Sequence, residues 1–535
     1  MVFTLQRYVF RELFKVFLLS SIGLTLILSL GSILQPVQKY GVGPGQVLHL
    51  MGYFLPVTLT FVLPMAALFA CSLVYGRFAS DNELDACRAS GVHMMTVVYP
   101  GLTLAIVVTI ATLLLSFHVT PAFVHRAEKS FKDDARQILF RNIQRRGYYA
   151  LPPDQRNIIY ADQVSPAQST LSGVVLVRLA KQSANVERVV AAEAAHIAFN
   201  PHEQFNEVEV KAHNTFQIDS QDESGAGADW LSLTFEFGSL LADEIKFKRL
   251  DEMKRIRINP IEFHPVARLS RDIYVQTIAE LLAQDIRNTL DAGRSYRLHS
   301  GSEIIEFTAS RCEPRQDRRI ELLGDIVVDQ YEADTPPRKT ASITSAKAFL
   351  HLEGDELWPT LTLDVYNARL NDSAFLKMRH FIRSLVLPTS IENTMARFKT
   401  EDNRLAPATL KENIPGLTEG MTRDLERRKL QLAIIMDKAM LEVKSELHSR
   451  LVFGLGCVPM ILIGIGLGIV KRGGHLLSAF GVSCLPAAML IICIMSGKQI
   501  IENVKTQVSG TLVMWGGLGV LCFFVLAIYA RLFRT

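Results

Sequence analysis

The residues best placed to do chemistry lie in one short polar segment between two apolar runs, Arg77-Phe-Ala-Ser-Asp-Asn-Glu-Leu-Asp-Ala-Cys-Arg-Ala-Ser-Gly91. Ser80 and Glu83 have the S-x-x-E spacing of a capping box, and Gly91 stands where a helix would close. Asp81, Glu83 and Asp85 gather at the positive end of the helix dipole, and Arg88 lies near its negative end. The spacing therefore predicts a short exposed helix over 80–91. Such a helix is either a solvated connector or a docking element that offers carboxylates to a cytoplasmic partner. Catalysis is poorly served elsewhere. There is no G-x-x-x-x-G-K-[ST], no H-E-x-x-H and no G-x-S-x-G, so no ATP site, zinc-protease site or serine nucleophile is expected. The chain has 7 cysteines without a C-x-x-C and 13 scattered histidines, which predicts neither metal nor cofactor. His118 and His125 are poorly spaced for a metal and read as polar residues at a membrane interface.

The elements that must carry this segment are visible in how charge is distributed. Of 57 basic and 53 acidic residues in 535, positions 126–450 hold 45 and 48, so both ends of the chain are charge-poor. Six windows lack Asp, Glu, Lys and Arg altogether: 16–34, 48–75, 94–124, 451–470, 476–496 and 508–530. Each is long enough to cross a hydrocarbon core of about 30 Å. This pattern excludes a soluble globular protein, and it equally excludes one embedded throughout. The net charge of +4, with no basic run interleaved with aromatics, gives no sign of nucleic acid, and none is expected as a partner. The first window lacks a cleavage motif and reads as a span, not a signal peptide. With the N-terminus inside, Arg7, Arg11, Lys15, Arg77, Arg88, Lys471, Arg472, Arg531 and Arg534 flank the spans on the cytoplasmic side. Only Lys39, Lys498 and Lys505 lie in the short loops outside. That bias predicts both termini in the cytoplasm and the long middle block outside it, in the periplasm of a bacterium.

The middle block reads mostly as strand. Val208–Ala212, Leu231–Phe237 and Leu361–Val365 alternate apolar and polar residues. Helix is expected at 274–290, near 376–385, and from 421 to 450, running straight into the fourth span. Gln35–Gly45 is expected to be loop. A weak echo links Ala192–Phe199 to Thr344–His351. It fits two related β-layers about 150 residues apart, and it fits chance equally well. Cys312 alone among the cysteines falls in the exported block, so that block has no internal disulfide. The domain plan is thus spans one to three over 1–125, a β-rich domain over 126–420, a helical connector over 421–450 and spans four to six over 451–535. Gly464-Ile-Gly-Leu-Gly468 inside the fourth span reads as close helix packing, because no strand precedes it to make a nucleotide loop.

Three stretches resemble the lipopolysaccharide export permeases of the LptF/LptG (YjgP/YjgQ) type. Arg7-Tyr-Val-Phe-Arg-Glu12 resembles the family's start, Leu73–Val92 its coupling helix, and Glu446-Leu-His-Ser-Arg450 with Leu462–Gly468 its entrance to the fourth span. The resemblance implies an α-helical membrane protein with six transmembrane helices and a large inserted, jellyroll-like periplasmic β domain in the bacterial inner membrane. It further implies a non-enzymatic permease subunit of an ATP-binding-cassette exporter. The implied partners are a cytoplasmic ATPase dimer, a second permease of the same family or a second copy, and periplasmic bridge proteins. Lipopolysaccharide would be the cargo, drawn from the outer leaflet of the inner membrane. Under that reading Ser80, Asp81, Glu83, Leu84, Asp85 and Arg88 couple to the ATPase. Lys39, Arg126, Lys129, Lys132 and Arg136 are placed to meet lipid phosphates, or else act as interfacial anchors. Leu233, Phe235 and Leu363 would line a periplasmic acyl-chain groove, or else an ordinary closed core. Two other classes share parts of the pattern: an ABC-type subunit that transmits force without carrying lipid, and a membrane-anchored envelope receptor or scaffold.

Overall fold

The computed structural model describes residues 2–40, 44–133, 135–151, 156–166, 168–179, 185–201, 206–219, 224–237, 244–301, 303–315, 319–332, 338–353, 360–371, 376–396, 398, 419–470 and 476–534. These residues fall into two compact units, one of 1–142, 239–260 and 437–535, the other of 143–238 and 261–436.

The first unit is helical. Its helices are α1 (Val2–Tyr40), α2 (Pro44–Ser80), α3 (Glu83–Ala89) and α4 (Met94–Leu114). A π-helical turn, Leu115–Val119, leads from α4 into α5 (Thr120–Asp133), and α6 (Ala135–Arg146) follows. Six helices among the described residues are long and apolar enough to cross a membrane: Phe3–Gly31, Gly52–Ser80, Met94–Lys129, Leu425–Val470, Cys484–Ile501 and Gln507–Leu532. Their outward sides are themselves apolar; Leu19, Leu26, Val107, Leu485, Leu512 and Phe523 are all exposed. In water such surfaces would be costly, whereas in hydrocarbon they need no partner. Leu13, Leu68, Tyr75, Leu104 and Ile465 belong to the core that holds the spans together. The expected loop at 35–45 is largely helix, since α1 continues to Tyr40 and α2 begins at Pro44. Extending a helix is cheaper than starting one, and proline suits the first helical turn. Gly41, Val42 and Gly43 lie outside the described residues.

The G-x-G-x-G stretch packs as its small residues suggest. A Cβ at Gly468 would sit 3.0 Å from the Ser72 carbonyl oxygen and 3.1 Å from the Gly76 nitrogen. One at Gly464 would sit 2.8 Å from Leu68 Cδ1. Glycine thus lets the fourth span approach the backbone of α2.

The second unit contains two antiparallel meanders. Sheet A runs in the order β1 (Tyr148–Ala150), β2 (Asn157–Ser165), β3 (Thr170–Leu179), β4 (Val186–Pro201), β5 (Asn206–Asp219) and β6 (Ser224–Phe237). After α7 (Leu250–Ile258) and α8 (His264–Asp291) comes sheet B, built from β7 (Tyr296–Ser300), β8 (Glu303–Thr308), β9 (Arg311–Pro314), β10 (Arg319–Glu332), β11 (Arg338–Glu353), β12 (Thr360–Leu370) and β13 (Leu376–Leu385). Its order is β13-β12-β11-β10-β8-β7, with β9 also on β10. The helix expected near 376–385 is strand β13. Its main chain pairs with β12, placing Ile382 opposite Leu363 and Leu385 opposite Leu361. A neighbouring strand with free main-chain groups overrides the local pattern. Two short elements follow sheet B: α9 (Thr389–Ala396) and the start of α10 (Glu419–Val470), which continues as the fourth span. α11 (Leu476–Ile501) and α12 (Gln507–Arg534) complete the chain.

Both sheets are distorted at one level by residues with positive φ. In sheet A these are Gly173 (φ 62) and Asn214 (φ 47), and in sheet B Gly324 (φ 97) and Asn367 (φ 49). A Cβ at Gly173 would lie 2.2 Å from Asp162 Oδ2, and one at Gly324 2.4 Å from Ser310 Oγ, so both sites require glycine. Across this level the inward positions shift by one residue. In β5 the buried side passes from Val208, Val210 and Ala212 to Thr215 and Gln217. In β12 every residue from Leu361 to Val365 is buried, and beyond the level the buried position is Ala368. α8 packs on sheet B: Cys312 Sγ lies 3.5 Å from the Ala283 carbonyl oxygen, and Arg287 Nη2 donates to the Cys312 carbonyl at 2.8 Å. Burial pushes the Cys312 thiol up to about 12, so it stays protonated and unreactive.

Candidate functional site

The polar segment between the second and third spans does form a helix, but a shorter one than expected. α2 continues through Ser80, whose Oγ donates to the Arg77 carbonyl at 2.9 Å. The capping box at Ser80 is therefore not formed. α3 starts at Glu83 behind Asn82, which adopts a left-handed conformation (φ 59) and makes no side-chain cap. Gly91 (φ 76) ends the turn, its N–H donating to the Arg88 carbonyl at 3.0 Å. Leu84 is buried in the spans' core and anchors α3. Glu83, Asp85 and Arg88 are half-buried, and Ser80 and Asp81 are exposed. Asp81 is paired with Arg77 at 3.4 Å. What results is a small platform fixed by one leucine, with acidic side chains along it.

At the opposite end of the helices lies a charge cluster around Glu446 and Arg450, residues that the sequence marks only as part of the family resemblance. Glu446 and Arg450 are only 8% and 6% exposed. Arg450 Nε donates to Glu446 Oε1 at 3.0 Å, and Lys498 Nζ bonds to the other carboxylate oxygen. The remaining guanidinium donors reach the Ser116 carbonyl at 3.0 Å and the Lys246 carbonyl at 2.7 Å. The Ser116 contact has a local cause. In the π turn the Thr120 N–H donates to the Leu115 carbonyl, five residues back. The next donor in that pattern would come from Pro121, which has no N–H, and the Ser116 carbonyl needs a partner from elsewhere. Arg450 supplies it. One side chain thus ties the fourth span to the π turn and to the 245–248 turn. The available signal was the Glu-x-x-x-Arg pair at the span's entrance, together with a proline one turn past the end of an uncharged run.

Near this cluster His125 Nε2 lies 3.2 Å from Glu252 Oε2, and the Arg249 N–H donates to the same oxygen at 2.7 Å. Burial opposes the Glu252 charge, but the His125 ring and the Arg249 N–H outweigh it and hold the carboxyl down at about 2. Arg126 and Lys129 are exposed on α5, and Arg126 lies 5.4 Å from the Phe123 ring centroid. Arg136 lies on the separate helix α6, its guanidinium 6.0 Å from the Phe140 ring. The side chains of Lys39 and Lys132 lie outside the described residues.

The three groove candidates divide between the sheets. Leu233 and Phe235 sit on β6 opposite Val210 and Val208, on the apolar side of sheet A. They are half-buried, while Val208 and Val210 are fully covered. Leu363 belongs to sheet B, opposite Leu350, and is fully buried. Val208–Ala212 and Leu231–Phe237 therefore lie side by side in sheet A, and Leu361–Val365 lies in sheet B. Among the described residues no group of three or more His, Cys, Asp or Glu side chains could hold a metal.

A comparison with curated proteins finds no match. Residues 7–263, from the start of the first span through sheet A and α7, match the family model described as lipopolysaccharide export system permease LptF/LptG. With that match, and with six apolar helices joined to a β-rich unit among the described residues, the chain is similar over 7–263 to the lipopolysaccharide export permease family.

Proposed function

We propose that this chain is the membrane subunit of an ATP-driven exporter that lifts lipopolysaccharide from the outer leaflet of the inner membrane and passes it to periplasmic bridge proteins. On this reading it is a multi-pass transport subunit and carries out no catalysis itself, as its likeness to the permease family over 7–263 and its six apolar helices suggest. ATP hydrolysis belongs to a separate cytoplasmic ATPase dimer, docked on α3 through Glu83 and its neighbours. A second permease of the same family, or a second copy, completes the cavity. Both termini are cytoplasmic and both sheets periplasmic, the orientation supported by the basic residues near the spans.

The observation that carries this reading is the family match across the first three spans, α3 and sheet A. The physics agrees with it. An uncharged cavity wall suits acyl chains, and acyl chains leaving a bilayer need a continuous apolar path. The half-buried Leu233 and Phe235 at the last strand of sheet A are the residues assigned to that path here. Arg126 and Lys129 are exposed donors for lipid phosphates. Affinity purification of the tagged chain from native membranes, followed by protein and lipid analysis, tests the proposal. A P-loop ATPase and bound lipopolysaccharide are expected together. An ATPase without lipid would favour the force transmitter, and the absence of both would refute the exporter.

A further inference from the structure

We propose that the outward face of sheet A, between Tyr148 and Ile218, is a docking surface for a protein whose apolar segment is bordered by lysine or arginine. Two cross-strand rows build it. The first is Tyr148, Tyr160, Val175, Ala191, Phe216 and Gly227, and the second is Ile158, Val177, Val189, Ile218 and Gly225. Every member is uncharged, and Phe216 and Ile218 are each 47% exposed. Trp230, 56% exposed, lies tilted against His213 with ring centroids 3.8 Å apart, beyond the distorted level. Together these make a contiguous exposed apolar patch with a polar rim, the arrangement that marks interaction sites.

Sheet B shows that this composition is not a demand of the fold. It has the same meander and the same distorted level, and its corresponding rows are polar. One is Thr308, Val327, Thr344 and Arg369, and the next is Glu306, Asp329 and Ser342. Asp329 is tied to Lys339 at 2.8 Å and to Ser342 at 2.6 Å, and Glu306 is paired with Arg297. That is how a solvent-facing sheet is ordinarily finished.

The border of the patch selects the occupant. Along the distorted level, next to the first row, stand the exposed Asp162, Glu193 and Asp229, with Asn214 Nδ2 donating to Glu193 Oε2 at 2.6 Å. Three carboxylates repel a phosphorylated lipid or an anionic membrane surface, and they call for a cationic border on whatever docks. Exposed Tyr, Trp and Phe around an apolar centre are the composition of protein contact sites. The proposal does not rest on the lipid route, which uses the other face of sheet A.

The test places a photo-reactive amino acid at Phe216 and at Ile218 of the full-length chain in intact cells, with Arg369 on sheet B as control. Adducts are mapped by mass spectrometry to the residue. The expected result is one polypeptide other than this chain at both positions and none at Arg369, its adduct peptide apolar with Lys or Arg beside it. Glu193→Lys and Asp229→Lys, each in a chain whose melting is unchanged, should lower the yield at least tenfold. Adducts with lipid, with a second copy of this chain or with a peptide lacking basic neighbours would overturn the proposal. So would yields indifferent to charge reversal, or no adduct at either position.

Discussion

Arg450→Met removes every guanidinium donor while keeping much of the stem's volume. In the native chain the group is buried and serves Glu446, Ser116 and Lys246. Breaking a buried ion pair by deleting one partner costs about 3–5 kcal/mol. Here Lys498 still holds Glu446, but the Ser116 carbonyl is orphaned, because Pro121 offers no N–H. The net cost should fall near the lower bound, about 3 kcal/mol. Two readouts follow in purified protein. The melting midpoint should fall by about 6–10 °C, and trypsin should cut faster after Lys246, Lys248 and Arg249, since the turn there loses its tie. Glu446→Gln combined with Arg450→Met should cost about 1–2 kcal/mol less than the two changes summed. An unchanged midpoint with unchanged tryptic cleavage in Arg450→Met, or strict additivity in the pair, would refute this account of the cluster.

Glu83→Gln should leave stability within about 0.5 kcal/mol of the parent, because Glu83 makes no capping bond. It should nevertheless reduce co-purification of the ATPase; full assembly with both Glu83→Gln and Glu83→Lys would remove the coupling role. Glu252 has a carboxyl held at about 2 against an ordinary 4.5, so it stabilises the fold fully above about 4.5 and loses that contribution as pH falls toward 2. Glu252→Gln should therefore flatten acid denaturation over that window by about 1–2 kcal/mol, given that the group is partly solvated; identical acid slopes would contradict the pairing with His125. Gly468→Val should destabilise by about 1–3 kcal/mol, since its new carbons meet backbone atoms of α2 that cannot yield. Gly519→Val, where nothing lies within 4 Å, is the matched control expected to be silent.

How much was legible in the sequence differs between the two units, for physical reasons. Spans announce themselves because hydrocarbon forbids charge over some 20 residues, a local property that a single window reveals. The strands at Val208–Ala212 and Leu231–Phe237 were likewise readable from alternation. β13 was not, because Leu376–Leu385 is a strand only by virtue of its pairing with β12, 7–24 residues earlier in the chain. The start of α3 was misplaced because Ser80 and Glu83 satisfy a local capping rule, while the preceding span simply runs on through Ser80. Arg450 was out of reach for a different reason. Its partners Ser116 and Lys246 are more than 200 residues away along the chain. Leu233 and Leu363 looked alike by alternation, and only the packing of each sheet distinguishes a half-buried edge from a sealed core.

The most direct test of lipid export through sheet A is photo-crosslinking in the assembled transporter. Photo-reactive residues at Leu233 and Phe235 should give lipopolysaccharide adducts that depend on ATP, whereas Leu363, sealed within sheet B, should give none. Reaction at control positions in the membrane cavity, with no adduct at Leu233 or Phe235 under turnover, would contradict that route and leave sheet A a scaffold.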